Sequence, residues 1–197
     1  MSKAERTKQF IIEKTAPVFN KKGFTGTTLQ DLTRATGLTK GSIYGNFANK
    51  DEVALAVFDH NLSLLLKGMN RYMQDSDNAI DKLLNIANFY RLEVKNIMRT
   101  GGCPILNTAT DADDTHPRLK ASVSRCISRW KKNIEKIIEQ GIAEKIIRPG
   151  INAAEFATIY IALIEGGIMM TKTTGNISFL NTCVDKIESI IVHELKR

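Results

Sequence analysis

Residues 28–53 read Thr28-Leu-Gln-Asp31-Leu-Thr-Arg-Ala-Thr36-Gly37-Leu-Thr39-Lys-Gly-Ser-Ile-Tyr44-Gly-Asn-Phe47-Ala-Asn-Lys50-Asp-Glu-Val53. Thr28 with Asp31 three residues later has the form of a capping box, in which the hydroxyl accepts a free N–H of the first turn and the acid reaches back to the N-cap N–H. The box predicts a short helix to about Thr36. Gly37 stops it, because glycine enters the left-handed region without a Cβ clash. Thr39 can cap a second helix to about Phe47, and Asn49 to Glu52 offer a third start. Two short helices joined by a tight glycine turn fit a helix-turn-helix, whose second helix lies in a DNA major groove. Ile43 and Phe47 are expected to be core.

Outward from this stretch, apolar residues recur at helical three-and-four spacing and no alternating strand pattern is visible. A first helix is predicted from about Lys3 to Lys22, with a kink at Pro17 and a stop at Gly23. A longer helix follows from Lys50 to about Tyr72, with Val53, Val57, Leu62, Leu65, Leu66 and Met69 inward. After a polar break at Asp75 to Asn78, Ala79 to Met98 is predicted as a buried helix carrying Leu83, Tyr90, Leu92 and Ile97. Cys103 is the expected N-cap of a helix opened by Pro104, and Pro117 opens another to about Gln140, closed by Gly141. Helices over Ala153 to about Lys172 and about Ile177 to Lys196 complete the chain. The expected fold is all-α with about nine helices: a domain over residues 1–50 and a second over 51–197.

The chain has 197 residues, 43% hydrophobic and 25% charged, which excludes a disordered or low-complexity protein. The longest unbroken apolar run, Ile159 to Ile164, is six residues. That is far short of the roughly 20 that cross a bilayer, so no membrane association is expected. The polar N-terminus has no apolar signal segment, and a cytoplasmic location is expected. Three widely spaced cysteines, Cys103, Cys126 and Cys183, suggest neither a disulfide framework nor a CxxC metal pair. Basic charge is concentrated at the start. Residues 1–50 hold nine Lys or Arg against three Asp or Glu, whereas residues 51–197 hold 19 against 18. A basic face on an otherwise neutral protein suggests a polyanion partner.

The stretch resembles the N-terminal domain of the TetR family of transcriptional regulators. The residues that carry the likeness are Gly37, Thr39, Gly41, Ile43, Tyr44, Phe47 and Lys50-Asp51-Glu52, with Ala16, Phe19, Gly23 and Thr28 before them. Asn46 stands where the family commonly has histidine or tyrosine, and Thr33 and Thr36 where it has alanine. The helix layout of the remainder is consistent with the family's ligand and dimer domain. The DNA-contacting set is then Thr28, Thr39, Lys40, Gly41, Ser42, Tyr44, Asn46 and Lys50. Lys40, Ser42 and Tyr44 would lie on the first turns of the recognition helix, Gly41 would allow close approach, and Lys50 and Asn46 would meet phosphate.

One short recognition helix reads few base pairs, so a homodimer on a palindromic operator is expected. Its interface is assigned to the last two helices, at Phe156, Ile159, Tyr160, Leu163, Gly166, Gly167, Leu180, Val184, Ile187 and Ile191. The resemblance implies a four-helix bundle there and a small-molecule effector, partly apolar, bound between the head and that bundle. Its lining is assigned to Leu62, Leu66, Phe89, Cys103, Ile105, Trp130 and Ile134. A thiol at a helix N-terminus is stabilised as thiolate, so Cys103 offers an alternative, an electrophile or redox sensor. An architectural DNA-binding protein without effector is a further alternative. The acidic run Asp111, Asp113, Asp114, His116 reads as a polar loop, and no metal or cofactor is expected. No Walker loop, nucleophile elbow, HExxH or dinucleotide fingerprint is present, so an enzyme is not expected.

Overall fold

A computed structural model describes residues 2–74 and 76–197; Asp75, in the polar break expected before Ala79, lies outside them. The described residues form nine α-helices: α1 Lys3–Gly26, α2 Leu29–Thr36, α3 Lys40–Tyr44, α4 Lys50–Met73, α5 Ala79–Arg99, α6 Pro104–Ala112, α7 Pro117–Ala143, α8 Ala153–Thr174 and α9 Ser178–Ile190. A π-helical turn, Ile191–Leu195, follows α9, and an isolated antiparallel bridge pairs Ile147 with Lys196. Packing divides the chain into two units, one of Met1–Leu65 with Thr100–Val123 and one of Leu66–Arg99 with Ser124–Arg197. The first is larger than the residues 1–50 read from the sequence, because α6 and the start of α7 pack with it.

In the first unit α1 buries Ile11, Ala16 and Phe19 at helical spacing. Full burial of a side chain as large as Ile11 or Phe19 contributes on the order of 1.5–3 kcal/mol. Pro17 does not break the helix; the residue with non-helical torsions is Gly23 (φ 72°, ψ 177°). Pro17 is exposed, so the carbonyl it leaves without an N–H can be satisfied by water. At Gly23 an added Cβ would fall 2.5 Å from Asp111 Oδ1. Buried Asn20 donates to the carbonyls of Thr100 and Gly102 (2.9 and 3.0 Å), and Asn107 donates to Asn20 O and Gly101 O (2.9 and 2.8 Å). These bonds tie the loop before α6 to α1.

In the second unit α8 and α9 are antiparallel neighbours around Ile164, Ile168, Leu180, Val184 and Ile187, all buried. Tyr160 is fully buried, and its hydroxyl donates to Leu83 O at 2.8 Å. Gly141 does not end α7, which runs on to Ala143. A Cβ at Gly141 would lie 2.7 Å from Ala79 Cβ and Ile147 Cδ1, so the glycine there serves close packing. Lys145 (φ 60°) turns the chain instead, and Ile146 and Ile147 donate to Gly141 O. The last helix is likewise not regular to Lys196: the Lys196 N–H reaches back five residues to Ile191 O. Leu66 and Leu92, read as inward, are 40% and 65% exposed. α8 is long and apolar enough to cross a membrane by length and composition, but one side of it is committed to the core with α9.

Replacing Gly23 by Ala forces a residue with a Cβ into the left-handed region and against Asp111, and should cost about 1–3 kcal/mol or more in urea denaturation. Tyr160→Phe should cost about 1 kcal/mol through the lost buried hydrogen bond, with little change in the denaturant slope.

Candidate nucleic-acid interface

The helix pair forms as its caps dictate. Thr28 accepts the Asp31 N–H (3.2 Å), and Asp31 accepts the Thr28 N–H (3.0 Å), closing the box at the start of α2. Lys22, 2.6 Å from Asp31, and the Thr28 bonds hold the Asp31 carboxyl well below the usual carboxylate range. Gly37 ends α2 in the left-handed region (φ 69°), where its N–H meets Thr33 O. Thr39 then accepts the Ser42 N–H (3.2 Å) and opens α3. Thr33 and Thr36 turn their hydroxyls back to the carbonyls of Gln30 and Leu32, so neither leaves a polar atom unpaired.

Helix α3 is five residues, shorter than the reach to Phe47 expected from the sequence. The chain tightens at Gly45, and Asn46 donates its side-chain amide to Ser42 O at 2.9 Å. One Asn46 N–H is therefore spent capping α3. Ile43 and Phe47 are buried beneath the helix, as their spacing requires, with Leu32 beside them in the core. Thr28, Thr39, Lys40 and Gly41 are exposed, and Ser42, Tyr44, Asn46 and Lys50 are half-buried. One short segment thus presents a cation, two hydroxyl side chains and a phenol above an apolar base. Exposed Arg34, near the end of α2, adds a cation that motif reading did not single out.

The start of α4 is anchored separately. Asn49 Oδ1 accepts the Glu52 N–H (2.9 Å), while the Glu52 carboxylate accepts the Ala48 N–H (2.7 Å) and the Lys8 ammonium (2.9 Å). Those bonds, the Ala48 N–H foremost, lower the Glu52 pKa. Lys50 does not simply project outward: its Nζ lies 4.3 Å from the Phe24 ring centroid. Phe24 also meets the His116 ring edge-on at 4.4 Å and donates its backbone N–H to Asp111 Oδ2. Phe24, Asp111 and His116 were not assigned to this region by sequence. Phe24 and Asp111 are 87 positions apart, and no local pattern signals their pairing. Among the described residues, no group of three His, Cys, Asp or Glu could hold a metal.

The residues assigned to an effector divide between the units. Cys103 and Ile105 are buried in the first; Phe89, Trp130 and Ile134 are buried in the second. Leu62 is half-buried and Leu66 exposed, so Leu66 is not part of a buried lining. A cleft of ≈ 20 Å³ in the first unit, bordered by Phe19, Asn20, Phe24, Asn61, Asn107 and Asp111 among others, holds none of the seven and suits a water. Cys103 stands at the N-cap of α6 with 0% exposure, which denies an electrophile access to its sulfur. Burial pushes the Cys126 thiol up to about 11 and the Cys183 thiol upward, which keeps both protonated.

Seven of the ten residues assigned to a dimer face are core of the single chain. Phe156, Tyr160, Gly167, Leu180, Val184, Ile187 and Ile191 are all buried without a partner. The reason is the α8–α9 pairing: a Cβ at Gly167 would sit 3.0 Å from Leu180 Cα, so this glycine admits α9 of the same chain. Ile159, Leu163 and Gly166 face outward or half-outward, and a Cβ at Gly166 would meet nothing within 4 Å.

Two family descriptions match the chain: "Bacterial regulatory proteins, tetR family" over residues 11–57, and "Tetracyclin repressor-like, C-terminal domain" over residues 79–186. A TetR-family transcriptional regulator from Cytophaga hutchinsonii is 42% identical, with 100% of this chain and 98% of that one covered at a TM-score of 0.94. A TetR transcriptional regulator from Chloroflexus aurantiacus is 31% identical, with 100% and 99% covered at a TM-score of 0.95. The HTH-type transcriptional repressor DhaR of a Mycobacterium species is 24% identical over 169 residues, 86% of this chain and 84% of DhaR. With both domains matched and the helix-turn-helix in place, the chain belongs to the TetR family of DNA-binding transcriptional regulators.

Proposed function

We propose that this regulator is a dimeric repressor that occupies a palindromic operator through α3 and leaves it when a small, partly apolar effector binds. The observation that carries the reading is the capped edge of α3, with Lys40 and Gly41 exposed and Ser42 and Tyr44 half-buried over a closed apolar base. Side chains on such a helix reach base edges, while Lys50 and Thr28 stand where phosphates flank a groove. Among the relatives, DhaR is a transcriptional repressor.

Dimerisation is supported by the outward side of α8. Ile159 and Met169 are 41% and 51% exposed, with Leu163 and Gly166 between them at three-and-four spacing, and Phe179 on α9 is 37% exposed. An effector site in the second unit is supported by Trp130, whose buried indole N–H has no hydrogen-bond partner among the described residues. A buried donor without an acceptor is costly, and a ligand carbonyl or carboxylate would satisfy it.

The founding experiment is selection of a duplex from a randomised pool by the purified protein, followed by a screen for compounds that release it. Failure to enrich any palindromic sequence would reject the reading. With the selected duplex, Tyr44→Ala should weaken specific binding by roughly 10–100-fold. Lys50→Ala should weaken all sequences alike and lower the salt slope by about one. Gly166→Arg enters open space in the protomer, so it should leave the fold intact while converting a dimer to monomer in sedimentation and abolishing cooperative operator binding. A Gly166→Arg protein that stays dimeric would exclude this face.

A further inference from the structure

Lys8 is one of nine cations among residues 1–50, and by charge alone it belongs with those that meet DNA. The structure directs it to a protein partner instead. From the second turn of α1 its Nζ donates to Glu52 Oε1 at 2.9 Å and stands 4.7 Å from the centroid of the Phe47 ring, the buried side chain that follows α3. Glu52 uses its other oxygen, Oε2, to accept the Ala48 N–H at 2.7 Å, and its own N–H donates to Asn49 Oδ1 at 2.9 Å. One carboxylate therefore joins α1, the start of α4 and the backbone of the segment between α3 and α4.

That segment controls how α3 is aimed. The N–H groups of Gly45, Asn46 and Phe47 all bond back into α3, so these residues move with it. The Ala48 N–H is the first after them to be accepted by a residue outside α3. A five-residue helix has no length with which to fix its own direction, and a binding constellation tolerates only about 0.5 Å of misplacement. We propose that Lys8 is a positioning residue for DNA recognition: through Glu52 and the Phe47 ring it sets the tilt of α3, and its ammonium makes no phosphate contact. The inference rests on the reading of α3 as the groove-reading helix. The two side chains are 43% and 39% exposed, and an ion pair so exposed contributes little to stability, so its loss leaves the head folded but α3 less well aimed.

Aim and charge can be told apart because the pair holds opposite charges. Acting through net charge alone, removal of the Lys8 charge would weaken binding to any duplex and removal of the Glu52 charge would tighten it. Acting as a strut, either removal lowers discrimination between duplexes.

The test compares Lys8→Met, Glu52→Gln and the double variant on the duplex that the wild-type protein selects and on a scrambled duplex, across a range of salt concentrations. Met keeps the apolar stem of Lys8, and Gln keeps an acceptor for the Ala48 N–H. Each single variant should lower the ratio of specific to scrambled affinity by roughly 2- to 5-fold, the range open to one partly exposed ion pair. The double variant, whose net charge equals that of the wild type, should lose no more than the worse single one, and Lys8→Arg should keep the wild-type ratio. The salt slope on the scrambled duplex should stay at its wild-type value in Lys8→Met, since Lys8 displaces no counterion from DNA. A slope lowered by about one, with both duplexes weakened alike, makes Lys8 a phosphate contact and overturns the proposal. A wild-type or raised ratio in Glu52→Gln, or losses that multiply in the double variant, overturns it equally. Partial unfolding lowers the active fraction for both duplexes together and leaves the ratio unmoved; should Lys8→Met fold poorly, Lys8→Gln takes its place and the same outcomes decide. A wild-type protein that selects no duplex rejects the α3 reading and this proposal with it, whereas a selected duplex with unchanged ratios rejects this proposal alone.

Discussion

The Asp111 carboxylate fills the space where a side chain at residue 23 would sit and accepts the backbone N–H of Phe24. The rest of the DNA-reading unit depends on that close approach. It breaks the regular torsions of α1 at Gly23 and sets the Phe24 ring where Lys50 and His116 meet it. Asn20 and Asn107 hold the Thr100–Gly102 loop by three buried or half-buried hydrogen bonds, and a fourth ties Asn107 to the Asn20 carbonyl of α1. Buried amides are costly unless paired, and here each pairs with backbone carbonyls that the irregular loop would otherwise leave open. The reading head is consequently a unit of α1 to α3, the first part of α4, and residues 100–123.

Helices as short as α2 and α3 are unstable alone, because nucleating a turn fixes several torsions for one hydrogen bond. Two devices offset this. Capping by Thr28, Thr39 and Asn49 satisfies amides at the three successive helix starts. Burial of Leu32, Ile43 and Phe47 on one side provides the tertiary wedge. What is left on the other side of α3 is polar and available. Rigidity in the base and availability at the edge are what a groove-reading helix requires.

Adjacent glycines in α8 show how similar residues take opposite duties. Gly167 lies against Leu180 of α9 and permits the intramolecular pairing; Gly166, 100° further around the helix, faces open space. The apolar richness of α8 and α9 therefore serves two surfaces. Tyr160, Ile164 and Ile168 belong to the interior, and Ile159 and Met169 to the exterior.

The caps and turns of the helix-turn-helix were legible in the amino-acid order. The capping box at Thr28 and Asp31, the left-handed Gly37, the N-cap at Thr39, the inward Ile43 and Phe47 and the opening of α6 at Pro104 all rest on interactions within four residues, which sequence spacing states directly. Family membership followed from the same span. Tertiary structure decided the rest. It made Gly23 rather than Pro17 the break in α1, turned Gly141 into a packing site, placed seven presumed dimer residues in the core, and brought Asp111 to Phe24 across 87 positions. Helical periodicity records that a face is apolar but not which of two partners covers it, and contacts between distant segments leave no trace in local spacing.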